Sequence, residues 1–514
     1  MKNAAELRNL LTERDAEIVR LRRQVDWLEQ QFRLMQAKQF GASSERTTSL
    51  AEQLTLFNEA EAEALPDTPE PMIENITYSR KKPKGKRESD YSGLPAERIV
   101  HELPEDERIC PDCGSLMHAC GHDVSRRELT YVPAQYKVTE HVQTVYSCRP
   151  CERTSDHVPM KKSEVPAGLI PGSGVATPSL LAHIMNSKYA LSLPLYRQEQ
   201  ELARLGVVIS RQNMANWVIT AHERWFSGLF KLLHKHLLSN EILHADESTL
   251  RVLHENGKRT DQKSWLWLYC TSGDAKHPAV LFDYQPRRAG ECAGEFLKGF
   301  AGKLHTDGYD AYHKLPPEIT AVGCWAHLRR KFVDAIKSLP QEIRNKSPAQ
   351  TGFNYCNKLF KLESEYTRDS LSFDERYLAR LEESKPVADG FFAWAKKEQG
   401  INPAPKTLYG AALTYAVNQE SWLMNVFLDG RLELSNNRAE RAIRPLAVGR
   451  RNWLFCFTSR GAAASASLYS IVETAKANGL KPYEYLKFLM ERLPHGTPPE
   501  DCLPWSEDAQ DSCR

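Results

Sequence analysis

The chain has 514 residues, which at about 150 residues per domain suggests roughly three domains. Its hydrophobic content of 41% and charged content of 26% are typical of soluble globular proteins, and no run reaches the roughly 18 apolar residues of a membrane span. The net charge of +2 neither favours nor excludes nucleic acid as a partner, because acidic residues elsewhere can offset a basic face. The first residues, MKNAAELRNLLTERDAE, contain no apolar signal core, so we expect a cytoplasmic protein without a membrane segment.

Residues 1–45 are predicted to form a coiled coil. Apolar side chains recur at two heptad positions over about four heptads, with Arg14 as the exception. This stripe favours a homo-oligomer built on two paired helices; a single helix packed against its own chain is the alternative. The apolar residues are Leu11, Ile18, Val25 and Phe32 at one position, and Leu21, Leu28 and Met35 at the other.

A linker is predicted at residues 46–98. Its segments EAEAEALPDTPEP and SRKKPKGKRESD are rich in proline and in unbalanced charge. The basic run from Arg80 to Arg87 could contact DNA phosphates, although most such runs are simply solvated.

A zinc-binding module is predicted at residues 99–160. CPDCG at 110–114 and CRPC at 148–151 supply two C-x-x-C pairs, and four thiolates are the usual ligands of a tetrahedral structural zinc. The segment between them, LTYVPAQYKVTEHVQTVYSC, alternates like paired strands. Four cysteine ligands leave no open position for water, so we expect a structural rather than a catalytic Zn²⁺. The predicted ligands are Cys110, Cys113, Cys148 and Cys151.

Residues 161–240 are predicted to be helical. TPSLLAHIMNSKYA, LPLYRQEQELARLG and ISRQNMANWVITAHERW each have the pattern of a helix, with Gly206 ending the second and Ser210 as N-cap of the third. This arrangement is compatible with a helix-turn-helix that binds DNA. Helical hairpins that bind no DNA have the same pattern, so both interpretations stay open.

After Asn240 the sequence predicts a mixed α/β sheet. Three strands, a helix, a strand, a helix and another strand are the order expected of a ribonuclease H-like core. Asp246 and Asp307 lie in or beside two of these strands. Burying an aspartate in an apolar strand is costly unless its charge is compensated, and a divalent cation is one such partner. Two such metal ions can serve in-line phosphoryl chemistry, which requires a third carboxylate.

Glu440 is the best candidate for that third carboxylate. The segment LSNNRAERAIRPLAVGRRNWLF predicts a helix that begins near Asn437, has Glu440 in its first turn and ends or bends at Pro445. Glu440 is the only carboxylate from Leu434 to Val472. The surplus of arginine predicts contacts with DNA phosphates. These arginines are Arg438, Arg441, Arg444, Arg450 and Arg451.

Together these motifs resemble the large transposase of the insertion sequence 66 family, a DDE enzyme. The likeness rests on ADEST around Asp246, TDGYDAY around Asp307, CWAHLRRKF at 324–332 and SNNRAERAIRPLAVGRRNWLF at 435–455. It also includes FGASSER, CPDCG, LPLYRQEQELARLGV and IVETAKANGLKPYEYL, and so extends over nearly the whole chain. The resemblance implies a catalytic triad of Asp246, Asp307 and Glu440 that binds Mg²⁺ or Mn²⁺, and accessory proteins encoded alongside.

The predicted fold class is therefore multidomain α/β, with a ribonuclease H-like catalytic core. The 132 residues between Asp307 and Glu440 exceed a minimal core and indicate an inserted segment. The predicted domains are a coiled coil (1–45), a linker (46–98), a zinc-binding module (99–160), a helical, helix-turn-helix-like region (161–240), the first part of the core (241–332), a mostly helical insertion (333–430), a core helix with the third acidic residue (431–465) and a C-terminal tail (466–514).

These features predict a transposase that binds the terminal inverted repeats of its element, cuts the strand at each end and joins the freed 3′-hydroxyl to target DNA. We expect it in the bacterial cytoplasm, associated with the nucleoid when bound to DNA. Two alternatives are a nuclease that cuts without joining and a zinc-containing DNA-binding regulator derived from a transposase. Cys324 and His327, a C-x-x-H pair, are candidates for a supporting role in catalysis.

Overall fold

The computed structural model describes residues 135–147, 160–255, 262–401 and 407–514, together with Arg14, Pro104, Ser115, Leu116, Gly257 and Arg259. The predicted coiled coil (apart from Arg14), the linker and all four predicted zinc ligands lie outside these residues. The chain divides into two units, one of residues 52–165 and one of residues 1–51 and 166–514.

In the first unit, strand β1 (Val145–Ser147) pairs antiparallel with β2 (Met160–Lys162). The expected strand pairing between the two cysteine pairs is wrong for the part that is described, because residues 135–144 form no strand and the partner of β1 follows the second cysteine pair. Residues 135–144 are exposed along their whole length. An alternating segment without a buried face gains little from pairing.

In the second unit, four α-helices directly precede the sheet. They are α1 (Pro178–Tyr189), α2 (Leu195–Arg204), α3 (Arg211–Ala221) and α4 (Ser227–Leu238). The three helices predicted here are confirmed as α1, α2 and α3. Ser210 caps α3 as expected, since its Oγ accepts a hydrogen bond from the Asn213 N–H at 3.2 Å. Gly206 follows α2 with a φ of +80°, a conformation that favours glycine at the end of a helix.

A mixed six-stranded sheet follows. Its strands are β3 (Ile242–His254), β4 (Lys263–Thr271), β5 (Val280–Gln285), β6 (Gly302–His305), β7 (Ile319–Val322) and β8 (Cys456–Thr458). The order is β5-β4-β3-β6-β7, antiparallel from β5 to β3 and parallel from β3 to β7, and β8 pairs with the far end of β3. Helix α5 (Gly290–Phe296) connects β5 to β6. The second predicted helix is only a 3-10 turn at Asp310–Lys314.

The segment between β7 and Glu440 is helical and has its own hydrophobic core. Trp325, Phe332 and Phe391 are fully buried in this core. Arg380 is also buried in this segment. Its guanidinium donates hydrogen bonds to Glu363 and to the carbonyl of Leu432. The helices are α6 (Trp325–Lys337), α7 (Pro348–Arg368), α8 (Phe373–Ala379), α9 (Lys385–Ile401), α10 (Leu408–Asn418) and α11 (Glu420–Met424).

The chain then returns to the sheet in α12 (Asn437–Trp453), followed by α13 (Ser459–Ala477), α14 (Pro482–Arg492) and α15 (Glu507–Cys513). Of the two outcomes expected at Pro445, an end or a bend of the helix, the first is wrong, because α12 continues past this residue. Proline removes one N–H donor and so leaves the Arg441 carbonyl without its helical partner. The apolar side of the helix, which includes Ile443 and Leu446, is nevertheless buried and keeps α12 continuous. Among the described helices, none combines the length and the hydropathy that a membrane crossing requires.

Other elements cover both outer strands of the sheet. On β5, the Thr474 hydroxyl bonds to both the N–H and the C=O of Val280 at 3.0 Å, and the Phe282 N–H donates to Ser470 Oγ at 2.8 Å. On β7, Asn425 Nδ2 donates to the carbonyl of Ala321 at 2.8 Å. These four backbone groups of the outer strands therefore have hydrogen-bond partners within the same unit.

Candidate active site

Asp246 lies on β3, and Asp307 lies two residues beyond the end of β6, the parallel neighbour of β3. In the register of β3 with β6, His244 pairs with His305. Each aspartate lies two residues beyond its histidine, and adjacent strands are about 4.8 Å apart, so the two residues lie near each other at the carboxyl end of β6. The negative charge of Asp307 contributes to the raised pKa of Asp246, in agreement with this proximity.

The turn after β6 holds Asp307 in place. Its carbonyl accepts a hydrogen bond from the Tyr415 hydroxyl at 3.0 Å, and its Oδ1 accepts the Tyr309 N–H at 2.9 Å. Gly308 has a φ of +89°, and a Cβ there would lie 2.7 Å from the Tyr415 oxygen. The turn therefore requires glycine at this position.

Glu440 lies in the first turn of α12, as the sequence predicts, and meets two basic side chains from α6. His327 Nε2 is 3.5 Å from Glu440 Oε1, and Arg330 Nη2 is 3.6 Å from Oε2. His327 and Arg330 share a face of α6 because they are three residues apart. Glu440 Oε1 is buried and forms no hydrogen bond with any described residue. The sequence did not single out Arg330.

The charges of Asp307 and Glu440 both affect the ionisation of Asp246. The pKa of Asp246 is raised to about 8, first by burial and then by the negative charge of Glu247, with smaller contributions from Asp307 and Glu440. Like charges that act on one another in this way are close in space. The ionised form of Asp246 therefore needs a compensating positive charge.

The oxygen ligands at this position suit a hard divalent cation. Mg²⁺ and Mn²⁺ prefer carboxylate oxygens, and Mg²⁺ often uses only one or two of them together with substrate phosphates. Within the described ranges, no three His, Cys, Asp or Glu side chains are already gathered closely enough to hold an ion. The raised pKa of Asp246 and the unpartnered Glu440 Oε1 are both conditions that a bound cation would relieve.

The two residues of the C-x-x-H pair have different surroundings. His327 contacts Glu440, whereas Cys324 is fully buried at the start of α6. Cys324 Sγ accepts the N–H of Asn436 at 3.1 Å. Burial raises the pKa of the Cys324 thiol to about 11, so it is protonated at neutral pH. His327 is therefore the member of the pair that lies at the candidate site.

Glu247, next to Asp246, is a buried carboxylate that the sequence did not identify. Its side chain is 1% exposed, and it accepts hydrogen bonds from Arg288 Nε at 2.8 Å and from the Tyr312 hydroxyl at 2.7 Å. Burial, followed by the charge of Asp307, raises its pKa. Only the fold brings Arg288 and Tyr312 to this side chain, so no local signal could have revealed it.

Among the five arginines that were predicted to bind DNA, Arg438 and Arg450 form hydrogen bonds with other groups of the protein. Arg438 Nε donates to Glu433 Oε1 at 2.8 Å. Arg450 donates to the hydroxyls of Ser248 at 3.0 Å and Thr249 at 2.8 Å, on β3. These contacts connect α12 to the preceding loop and to the sheet.

The other three predicted arginines share a face with Glu440. At 3.6 residues per turn, Glu440, Arg441, Arg444 and Arg451 project within an arc of about 100°, opposite the buried side of α12. Arg441 and Arg451 are exposed, and Arg444 is half-buried. From Arg441 to Arg451 this face extends over about 15 Å along the helix.

Comparison with protein families agrees with this arrangement of residues. The family model described as "Transposase IS66 family" matches residues 173–464, which include Asp246, Asp307 and Glu440. The chain belongs to the IS66 transposase family. Three further models of the family match residues 107–152 ("zinc-finger binding domain of transposase IS66"), 470–505 ("IS66 C-terminal element") and 27–99 ("Transposase C of IS166 homeodomain").

The relatives of this IS66 transposase include uncharacterized proteins of Sinorhizobium fredii. One is 33% identical over 427 residues, which cover 79% of this chain and 75% of the relative. Another is 30% identical over 491 residues, which cover 90% and 86% of the two chains. No solved structure matches the chain.

The family matches confirm the resemblance inferred from the motifs. The chain is a transposase by family, DNA is its expected partner, and its zinc-finger segment covers all four predicted zinc ligands. The assignment of Asp246, Asp307 and Glu440 as the triad stays a prediction, as does that of the zinc-binding cysteines.

Proposed function

We propose that this IS66 transposase cleaves DNA at the terminal inverted repeats of its element and joins the freed 3′-hydroxyl to target DNA, using Asp246, Asp307 and Glu440 as ligands of divalent metal. The observation that carries the proposal is that Asp246 lies on β3 and Asp307 just beyond its parallel neighbour β6, with Glu440 close enough to raise the pKa of Asp246.

The strand order supports a ribonuclease H-like core. An antiparallel β5-β4-β3 ribbon continues into parallel β6 and β7, with the longest strand, β3, at the centre. The first aspartate lies on this central strand and the second follows its parallel neighbour. The helical insertion separates them in sequence from Glu440, and α12 returns to pack on β3.

The protein groups have distinct roles in this proposal. Asp246 and Asp307 would hold the ions between them, and Glu440 would complete the second metal position. When bound, the metal activates the attacking oxygen and stabilises the leaving oxygen of an in-line displacement at phosphorus. His327 and Arg330 contact Glu440 and orient its carboxylate.

DNA would lie along the exposed face of α12. Arg441, Arg444 and Arg451 present positive charge on the same side of this helix as Glu440. Such charges bind phosphates, position the duplex and carry no base information. A DNA strand that follows this face would bring its phosphates to Glu440, which lies at the N-terminal end of the helix, before the three arginines.

The test uses Asp246→Asn, Asp307→Asn and Glu440→Gln, with a supercoiled plasmid that carries the DNA flanking this reading frame. Each variant should lose cleavage and strand transfer while binding the DNA as the wild type does. Asp310→Asn is the matched control, because Asp310 is 72% exposed, pairs with Lys314 and lies three residues from Asp307. It should retain activity.

The products separate this proposal from its alternatives. Cleavage without joined products from a DNA end with a free 3′-hydroxyl would indicate a nuclease. DNA binding with no cleavage by the wild type in Mg²⁺ or Mn²⁺ would indicate a regulator. Full activity in all three carboxylate variants would overturn the triad.

A further inference from the structure

Asn436 connects the three elements that carry the candidate site. It is fully buried immediately before α12. Its Nδ2 donates to the carbonyl of Ala245, the residue before Asp246, at 2.8 Å. Its backbone N–H donates to Cys324 Sγ at the start of α6, and its carbonyl accepts the N–H of Glu440 at 3.2 Å.

Hydrogen bonding fixes the orientation of the Asn436 amide. The Ala245 carbonyl can only accept, so the amide nitrogen must face it and Oδ1 must face His244 Nδ1, 3.0 Å away. Because the amide Oδ1 can only accept a hydrogen bond, His244 donates to it from Nδ1. His244 in turn stacks on His305 at 4.9 Å between ring centres.

The two buried histidines connect β3 and β6 to the segment that precedes α12. His305 Nε2 bonds to the Glu433 carbonyl, in the loop that leads to α12. Asn436 does not act as an ordinary helix cap, because its side chain makes no bond to the first turn of α12. Its side-chain hydrogen bonds to Ala245 and His244 both go to β3.

We propose that Asn436 is the positioning residue that sets Glu440 at its distance from Asp246, by attaching the first turn of α12 to β3 and to the start of α6. This inference rests on the proposed metal-binding role of Glu440. The bonds from Asn436 reach the residue before Asp246, the residue before α6 and Glu440 itself. Removal of the Nδ2 donor would free the start of α12 to shift relative to the sheet.

The test compares Asn436→Asp with Asn425→Asp. Aspartate has the shape of asparagine and lacks the Nδ2 donor. Asn425 is the matched control, since it also donates one side-chain N–H to a strand carbonyl at 2.8 Å, but on β7 and without any bond to α12. Mn²⁺ is titrated in single-turnover cleavage of the plasmid that carries the flanking DNA, and DNA affinity is measured separately.

Asn436→Asp should cleave about 10–100-fold more slowly and need about tenfold more Mn²⁺ for half-maximal rate, while DNA affinity changes less than about twofold. Asn425→Asp should lose thermal stability but keep its Mn²⁺ requirement. Equal Mn²⁺ requirements in the wild type and Asn436→Asp, or equal shifts in the two variants, would overturn the inference.

Two additions keep the test decisive. If Asn436→Asp does not fold, Asn436→Ser replaces it, because serine is a favoured residue before a helix and is too short to reach Ala245. Glu440→Gln separates the two proposals. If Glu440→Gln cleaves like the wild type, the metal-binding role fails; if only the Asn436 variants do so, the positioning role alone fails.

Discussion

His327 and Glu440 face each other where α6 meets the first turn of α12, with His327 Nε2 3.5 Å from Glu440 Oε1. Burial lowers the pKa of His327, and the Glu440 charge acts in the opposite direction. The histidine is the nearest described basic group to an oxygen that otherwise has no partner. The orientation of Glu440 therefore depends on a residue that is not itself one of the three carboxylates.

His327→Ala should lower the cleavage rate about 10–100-fold and leave DNA affinity unchanged, because Glu440 would lose the group that orients it. Single-turnover cleavage at saturating DNA measures this effect. Arg329→Ala is the control: Arg329 is also on α6, but it contacts Asn357 and the Phe360 ring and not Glu440. Wild-type cleavage by His327→Ala would contradict the assignment.

Asp246 should make the metal-free protein less stable as the pH rises. Its pKa is about 8 in the folded protein against an ordinary value of 3.8, so between these values the folded state binds more protons than the unfolded state. Stability from this group is therefore present below about pH 4 and is lost as the pH rises towards 8. In EDTA at pH 8, Asp246→Asn should be more stable than the wild type by roughly 2–4 kcal/mol.

Chemical denaturation from pH 5 to pH 8 measures this difference, which should grow with pH. Added Mn²⁺ should stabilise the wild type and have little effect on Asp246→Asn, since a ligand that binds the folded state raises its stability. Parallel pH profiles for the two proteins, or equal stabilisation by Mn²⁺, would be incompatible with a cation held by Asp246.

The arginines of α12 should separate into two functional groups. Arg441→Ala, Arg444→Ala and Arg451→Ala should each weaken DNA binding and reduce the slope of log affinity against log salt by about 1. Arg450→Ala should instead cost about 1–2 kcal/mol of unfolding free energy, because it removes the bonds to Ser248 and Thr249. Fluorescence anisotropy between 50 and 200 mM salt, in steps of about 50 mM, distinguishes the two groups. A reduced salt slope in Arg450→Ala alone would reverse the assignment.

The zinc-binding segment should hold about one Zn²⁺ per chain, bound by the four predicted cysteines. Elemental analysis of the purified protein measures the metal, and Cys113→Ser should remove it. Cys270→Ser is the control, because Cys270 is a free cysteine buried in the sheet. Retention of full zinc content in Cys113→Ser would show that the ion is bound elsewhere.

The sequence predicted the parts of the site that depend on local pattern. Asp246 is conspicuous as a charge in an apolar strand, and Glu440 as a lone carboxylate among arginines. The succession of strands and helices after Asn240 was also predicted, apart from the second helix, which is a 3-10 turn. These signals are short-range, so they can be identified without knowing which segments meet.

The remaining features depend on contacts between distant segments. Asn436 and Ala245 are 191 residues apart, and Arg450 and Ser248 are 202 apart. No spacing rule could have assigned Asn436 to β3 or separated Arg450 from the arginines that face outwards. The outcome at Pro445 also depended on contacts with distant segments. Local propensity predicted that the helix would end or bend there, but the apolar side of α12 is buried and the helix continues past this residue.

Hydrogen bonds on the two outer strands of the sheet, β5 and β7, oppose the pairing of these strands with another molecule. The side chains of Ser470 and Thr474 form hydrogen bonds with backbone groups of β5, and the Asn425 side chain donates to a backbone carbonyl of β7. A strand from another molecule would have to displace these side chains before it could extend the sheet. Extension of the sheet by a strand of a second copy would therefore cost these hydrogen bonds, which disfavours edge-to-edge aggregation of this unit.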